Sequence, residues 1–157
     1  MEIQNLIIRQ MQPEDVNAAL VIERQSFTTP WSATSFLSEV RSPASTALIA
    51  ELNSTCVGYI IVKIVADECH LYDLAVDPKL RRRGIAKALL QNVLEIIDRT
   101  TVRFFFLEVR ASNDPAINLY RAIGFSEYAR RRSYYEKPIE DAILMHLSLT
   151  GEKLSFE

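Results

Sequence analysis

The feature that most constrains the fold is the stretch Val102–Val109, in which apolar residues occupy positions of both parities, the aromatic core of it being Phe104-Phe105-Phe106. A strand with one wet face alternates apolar and polar residues. A strand apolar on both faces has to be covered on both, which is the habit of an inner strand in a sheet packed against helices. The flanking segments meet that demand. Gly84 to Asp98 carries Ile85, Leu89, Val93 and Ile96 on one helical stripe. Downstream, Asn113 or Asp114 caps another helix, Pro115 sits in its first turn and Gly124 ends it.

The rest of the chain alternates in the same way. Leu6 to Arg9 reads as a first strand. Pro13-Glu14-Asp15 opens a helix with Val16, Leu20, Glu23 and Phe27 at helical spacing. Thr28-Thr29-Pro30-Trp31 breaks it, and Ser32 caps a short second helix that buries Phe36, Leu37 and Val40. Thr46 to Leu52 and Val57 to Val65 form a hairpin turned at Asn53-Ser54, and Asp67-Glu68 marks the turn into Leu71 to Val76. Phe125 to Arg131 and Ala142 to Leu149 close the chain as strands, with a frayed tail over 150–157. The pattern predicts one mixed α/β domain over residues 1–157. It has about seven strands and four helices, an antiparallel meander and a parallel strand–helix–strand unit.

Composition narrows the function classes. Hydrophobic residues make up 48% of the 157 and charged residues 24%, as in a globular domain, and 18 basic against 20 acidic residues leave a net charge of −2. No global basic field exists for nucleic acid, so a phosphate site has to be local. No apolar run approaches the ~20 residues of a membrane span, and the start, with Glu2, lacks a secretion signal. The expected location is cytoplasmic. The two cysteines, Cys56 and Cys69, read as buried core thiols, and two histidines, His70 and His146, give no metal-ligating cluster. Asn53-Ser54-Thr55 fits a glycosylation sequon but reads as a turn.

Against that background Arg81-Arg82-Arg83-Gly84-Ile85-Ala86-Lys87 stands out, with four basic residues in seven between a strand and a helix. The first N–H groups of a helix lack internal partners and the dipole adds about half a positive charge there. Glycine and a small Ala86 let a ligand approach the backbone. This suits a pyrophosphate; a solvated basic turn is the competing reading. A Walker-type loop and a dinucleotide fingerprint both lack their required residues.

Arg81-x-x-Gly84-x-Ala86 resembles the acyl-CoA pyrophosphate loop of the GCN5-related N-acetyltransferases (GNAT). Leu74-Ala75-Val76-Asp77-Pro78, Glu108 through Asn113, and Leu119-Tyr120-x-x-x-Gly124-Phe125 resemble other motifs of that family. Pro30-Trp31-Ser32, Glu108 to Asn113 and Tyr134-Tyr135 followed by Glu140-Asp141-Ala142-x-x-Met145 are similar to its ribosomal-protein-alanine N-acetyltransferase (RimI) branch. Two departures stand out. Tyr72-Asp73 replaces an aromatic followed by asparagine, which bears on how the acceptor amine is held, and Ala86 replaces a glycine.

The resemblance implies acetyl-CoA as co-substrate, no metal, and direct transfer to a primary amine. The acceptor it implies is the N-terminal alanine of a small-subunit ribosomal protein. A small-molecule amine and a non-catalytic acyl-CoA-binding module are the alternatives. It makes Glu108 the candidate base and Tyr120 the candidate acid. It puts the cofactor on Leu74, Ala75, Val76, Arg81, Arg82, Arg83, Gly84, Ile85, Ala86, Lys87 and Asn113, with an oxyanion donor among the backbone N–H groups of Leu74 to Val76. It gives Trp31, Tyr134 and Tyr135 to the acceptor. The residues themselves leave other readings open. Glu108 can be a strand-end carboxylate pairing with Arg110, or one whose basicity desolvation raises. Tyr120 can pack on Phe125, Asn113 can be a helix cap, and Trp31 can be a core plug. Arg130-Arg131-Arg132 reads as a solvated edge, because alternate strand side chains face opposite ways.

Overall fold

The computed structural model describes residues 4–155. Among them the helices are α1 (Val16–Ser26), α2 (Ala33–Arg41), α3 (Ile85–Ile96) and α4 (Asp114–Ile123). The strands are β1 (Leu6–Gln10), β2 (Ser45–Leu52), β3 (Thr55–Val65), β4 (Glu68–Val76), β5 (Phe104–Arg110), β6 (Ser126–Tyr135) and β7 (Glu140–Ser148). The strands follow the order β1-β2-β3-β4-β5-β7-β6. β4 and β5 are parallel, Glu68–His70 lying against Phe104–Phe106. β1–β2, β2–β3, β5–β7 and β6–β7 are antiparallel. The mixed sheet, the meander and the strand–helix–strand unit are as the sequence predicts.

The chain divides into two compact units. The first comprises the chain up to Lys63 and Tyr72–Ile97; the second comprises Ile64–Leu71 and the chain from Asp98. In the first, Phe36 is fully buried and packs against Trp31 at 5.2 Å and edge-on to Tyr59 at 5.4 Å. Ser32 caps α2 by accepting from the Ser35 N–H. In the second, Phe105 meets Phe125 edge-on at 5.3 Å, below the face that α4 covers with Ile117 and Tyr120.

Several boundaries differ from expectation for local reasons. Pro13–Asp15 forms a 3-10 turn ahead of α1. Phe27 lies past the end of α1, as its C-cap, and is 39% exposed. Asn53 and Ser54 both take positive φ, closing the hairpin within two residues, so β3 starts at Thr55. The next turn is made at Ala66 (φ 55°) and Asp67, so Glu68 already belongs to β4. Ile96 ends α3 and is 54% exposed, outside the buried stripe of Ile85, Leu89 and Val93. Phe125 closes α4, its N–H donating to the Tyr120 carbonyl, so β6 begins at Ser126 and runs on to Tyr135. β7 starts two residues early because Glu140 pairs with Tyr135. Arg130–Arg132 lie on β6, an edge strand, and are exposed. The last two residues of the expected tail, 156–157, lie outside the described residues, as does Glu2. Leu149, expected at the end of the last strand, lies just past β7 and is buried, and within the tail Glu152 is ion-paired with Arg103.

Candidate functional site

In the first unit the basic loop connects β4 to α3 through a 3-10 turn at Pro78–Leu80, which Asp77 caps by accepting from the Lys79 N–H. Gly84 holds φ +83° as the N-cap of α3. A Cβ added to Gly84 would meet nothing within 4 Å, so the backbone there faces open space and the glycine serves conformation alone. The opening N–H groups of α3, at Ile85, Ala86 and Lys87, are those without an intrahelical acceptor. Arg82, Arg83 and Lys87 are exposed around them, while the Ile85 side chain is buried and only its backbone can meet a ligand. Arg81 is engaged inward: Nε donates to the Val76 carbonyl at 3.4 Å and Nη2 to Ser26 Oγ at 3.2 Å. It ties the loop to the end of β4 and to the last turn of α1. Open backbone, a helix mouth and three exposed cations fit a diphosphate.

Leu74 to Val76 end β4, and Gly58 on β3 lies so close that a Cβ there would be 3.0 Å from the Ala75 carbonyl oxygen. Trp31 packs on the core beneath the α1–α2 turn, the plug reading of that residue. Its backbone N–H donates to Glu23 Oε2 at 2.9 Å. Glu23 is 1% exposed, and its other oxygen accepts from the Tyr59 hydroxyl at 2.5 Å. Asp73 on β4 is 6% exposed, and its carboxyl meets that of Glu23 and the Leu74 N–H. Burial first, and then the hydrogen bond to and charge of Glu23, push Asp73 up to about 9. Burial also pushes the Tyr59 phenol far above its ordinary value.

Sequence reasoning missed this cluster as a unit, although both carboxylates had left a mark. Glu23 stands on the apolar stripe of its helix, and Asp73 interrupts a strand as a departure from the family pattern.

In the second unit β5 turns Phe105, Leu107 and Val109 inward, and Glu108 shares the opposite parity with Phe106. The Glu108 side chain is 37% exposed, so the desolvation expected of it is partial. Its partner is Arg131 of β6 at 3.9 Å, while Arg110 pairs with Glu140 at 3.3 Å. The Tyr134 hydroxyl hydrogen-bonds Glu108, and that contact raises its phenol. Tyr135 is edge-on to Tyr134 at 5.1 Å and lies under the Arg110 guanidinium at 4.5 Å; burial, with the Glu108 charge, pushes it up to about 12. Glu108, Arg131, Tyr134 and Tyr135 thus form one cluster, of which Arg131 had been read only as part of the basic edge.

Tyr120 is 6% exposed and edge-on to Phe125 at 5.9 Å, the packing reading. The Asn113 side chain caps α4 by accepting from the Ala116 N–H at 3.3 Å. Cys56 and Cys69 are free thiols, pushed up to about 11 and about 12, in each case chiefly by burial. None of the predicted site residues lines the shallow depression of about 300 Å³ bordered by Val21, Cys56, Asp77 and Lys79.

Residues 16–125 match the family described as Acetyltransferase (GNAT) family. The chain belongs to that family. It is 35% identical over 145 residues to ribosomal protein bS18-alanine N-acetyltransferase of Escherichia coli strain K12, covering 91% of this chain and 97% of that protein. The crystal structure of the ribosomal-protein-S18-alanine N-acetyltransferase from Escherichia coli superposes with a TM-score of 0.85 at 35% identity, over 96% of this chain and 99% of that one. Arabidopsis thaliana NAA60 in complex with acetyl-CoA shares the fold, with a TM-score of 0.85 at 24% identity over 94% of this chain and all of that one. The GNAT match runs through both units, from the start of α1 to the end of α4, and takes in the basic loop, Glu108 and Tyr120.

Proposed function

We propose that this chain is a cytoplasmic N-acetyltransferase that moves acetyl from acetyl-CoA to the α-amine of a protein N-terminus, the acceptor being the N-terminal alanine of a small-subunit ribosomal protein. One observation carries the reading: the 35% identity to the bS18-alanine enzyme, which extends over nearly the full length of both chains. The exposed Tyr134, the half-buried Tyr135 and the carboxylate of Glu108 add an aromatic and anionic surface of the kind that receives a peptide ammonium.

Bound acetyl-CoA supplies an activated thioester carbonyl. The protein's own residues do the rest. Arg82, Arg83, Lys87 and the opening N–H groups of α3 hold the diphosphate. Glu108 takes a proton from the acceptor ammonium, whose ordinary pKa near ~8 leaves it mostly protonated at neutral pH. The freed amine then forms a C–N bond to the carbonyl carbon, and backbone N–H groups at the end of β4 receive the oxyanion. As the C–S bond breaks, Tyr120 donates a hydrogen bond to the departing sulfur, and the second proton of the attacking nitrogen passes to that sulfur, so that the amide forms and CoA leaves as the free thiol. A phenol near ~10 gives its proton to a thiolate near ~8.5 only slightly uphill, so the contribution is a hydrogen bond that strengthens as charge develops.

The test is a steady-state assay with the purified chain, acetyl-CoA and a peptide bearing the acceptor's N-terminal sequence, following free thiol. Thiol release should depend on the alanine amine and vanish with a peptide already acetylated there. Turnover with small amines but none with the peptide would replace this acceptor by a small-molecule one, while cofactor binding without turnover on any amine would reduce the chain to an acyl-CoA-binding module.

A further inference from the structure

We propose that the Glu23–Asp73 carboxyl pair is a positioning device: sharing one proton, it fixes the Trp31 turn to the last residues of β4 in the arrangement that receives the acceptor. The geometry lies wholly within the first unit. Glu23 reaches two elements at once, accepting from the Trp31 N–H at 2.9 Å and from the Tyr59 hydroxyl at 2.5 Å. Asp73 brings in a third, β4, and stands immediately before Leu74 to Val76. Among the described residues, the titratable groups around the pair are Tyr59, whose proton is committed to Glu23, and Cys56 farther along β3, held as a neutral thiol. No described Lys, Arg or His is ion-paired with either carboxylate; Arg81, reaching the end of α1 from the β4–α3 loop, is bound to Ser26 and Val76. Two buried carboxylates in contact without a cation cannot both be ionised. One proton therefore stays, and Asp73 Oδ2, buried with no donor bonded to it among the described residues, is the oxygen to carry it. An asparagine at this point would supply a permanent donor, whereas aspartic acid supplies one that can be lost.

Loss of that proton sets two buried negative charges against each other and loosens the Trp31 turn. Trp31 is the chain's one tryptophan, so its fluorescence reports the turn directly, in the whole protein and without any substrate. The wild-type emission should change between pH 8 and 10 with a midpoint near the value of about 9 at Asp73, and the change should be missing in Asp73→Asn and in Glu23→Gln. The absence of any such transition in the wild type would overturn the proposal, and so would an identical transition in Asp73→Asn. This readout is independent of the proposed acceptor. With the peptide substrate, the wild-type alkaline limb should appear as a rise in peptide KM more than a fall in kcat. Normalised to its own neutral plateau, Asp73→Asn should lose that limb. A limb confined to kcat and shared by both proteins would leave the pair a purely structural role.

Discussion

Glu108 owes its availability to β5 alternation. Its neighbours Leu107 and Val109 are buried, and the carboxylate emerges on the other face with Arg131 at 3.9 Å and the Tyr134 hydroxyl as its contacts. In the proposed role of base, Glu108 would lose its function when made an amide, while size and hydrogen-bonding shape remain. Glu108→Gln should lower kcat by about 10²–10³-fold with little change in the acetyl-CoA KM, as general-base removal does. An unchanged kcat would remove Glu108 from that role. Tyr120 is held by Phe125 and by its place on α4, so Tyr120→Phe keeps the packing and isolates the hydroxyl. It should cut kcat by about 10-fold or more with the thermal midpoint nearly unmoved. The cysteines set a contrast: pushed up by burial, they hold almost no thiolate at neutral pH. A thiol reagent at pH 7.5 should modify Cys69 only as fast as the protein unfolds; rapid labelling in the native state would contradict its burial.

At the scale of elements, the β4–α3 connection depends on backbone freedom at Gly84 and on close packing at Gly58. Gly84 sits at φ +83° in open space, so Gly84→Ala costs about 1 kcal/mol of backbone strain without a clash. Its visible effect should be a several-fold rise in the acetyl-CoA KM, because the α3 N-terminus is displaced. Gly58→Ala is different in kind, since its Cβ meets the Ala75 carbonyl at 3.0 Å and Val76 Cγ2 at 3.3 Å. It should destabilise by about 1–3 kcal/mol, seen as a lower denaturation midpoint. If Gly84→Ala shifted only stability and left the cofactor KM alone, the helix mouth would not be the diphosphate site.

For the whole molecule, the pH dependence of stability carries the mark of Asp73. Its pKa is raised on folding, from an ordinary value near ~3.9 to about 9. The folded state therefore binds the extra proton, and this group's stabilisation is complete below pH ~4 and lost as pH rises toward 9. Asp15 acts in the opposite sense, since its bond to Arg9 lowers it and contributes stability that disappears in acid. Denaturant midpoints measured from pH 5 to 9 should fall more steeply in the wild type than in Asp73→Asn; parallel curves would mean that Asp73 is ionised throughout.

Much of this was legible in the chain. The apolar run Val102–Val109, the Ser32 and Asn113 caps, Gly124 as a helix stop and the Gly84 mouth of α3 are local matters of sterics and hydrogen-bonding geometry, so sequence by itself determined them, and with them the element order and the family motifs. What sequence could not determine is which distant groups share an environment. The choice of Arg131 over Arg110 as partner of Glu108 depends on β6–β7–β5 register. The meeting of Glu23, Tyr59 and Asp73 depends on how α1 lies on β3 and β4. Only the tertiary structure decided these, because burial and charge interaction depend on distances through space, and residues 36 or 50 positions apart have no local signal that sets theirs.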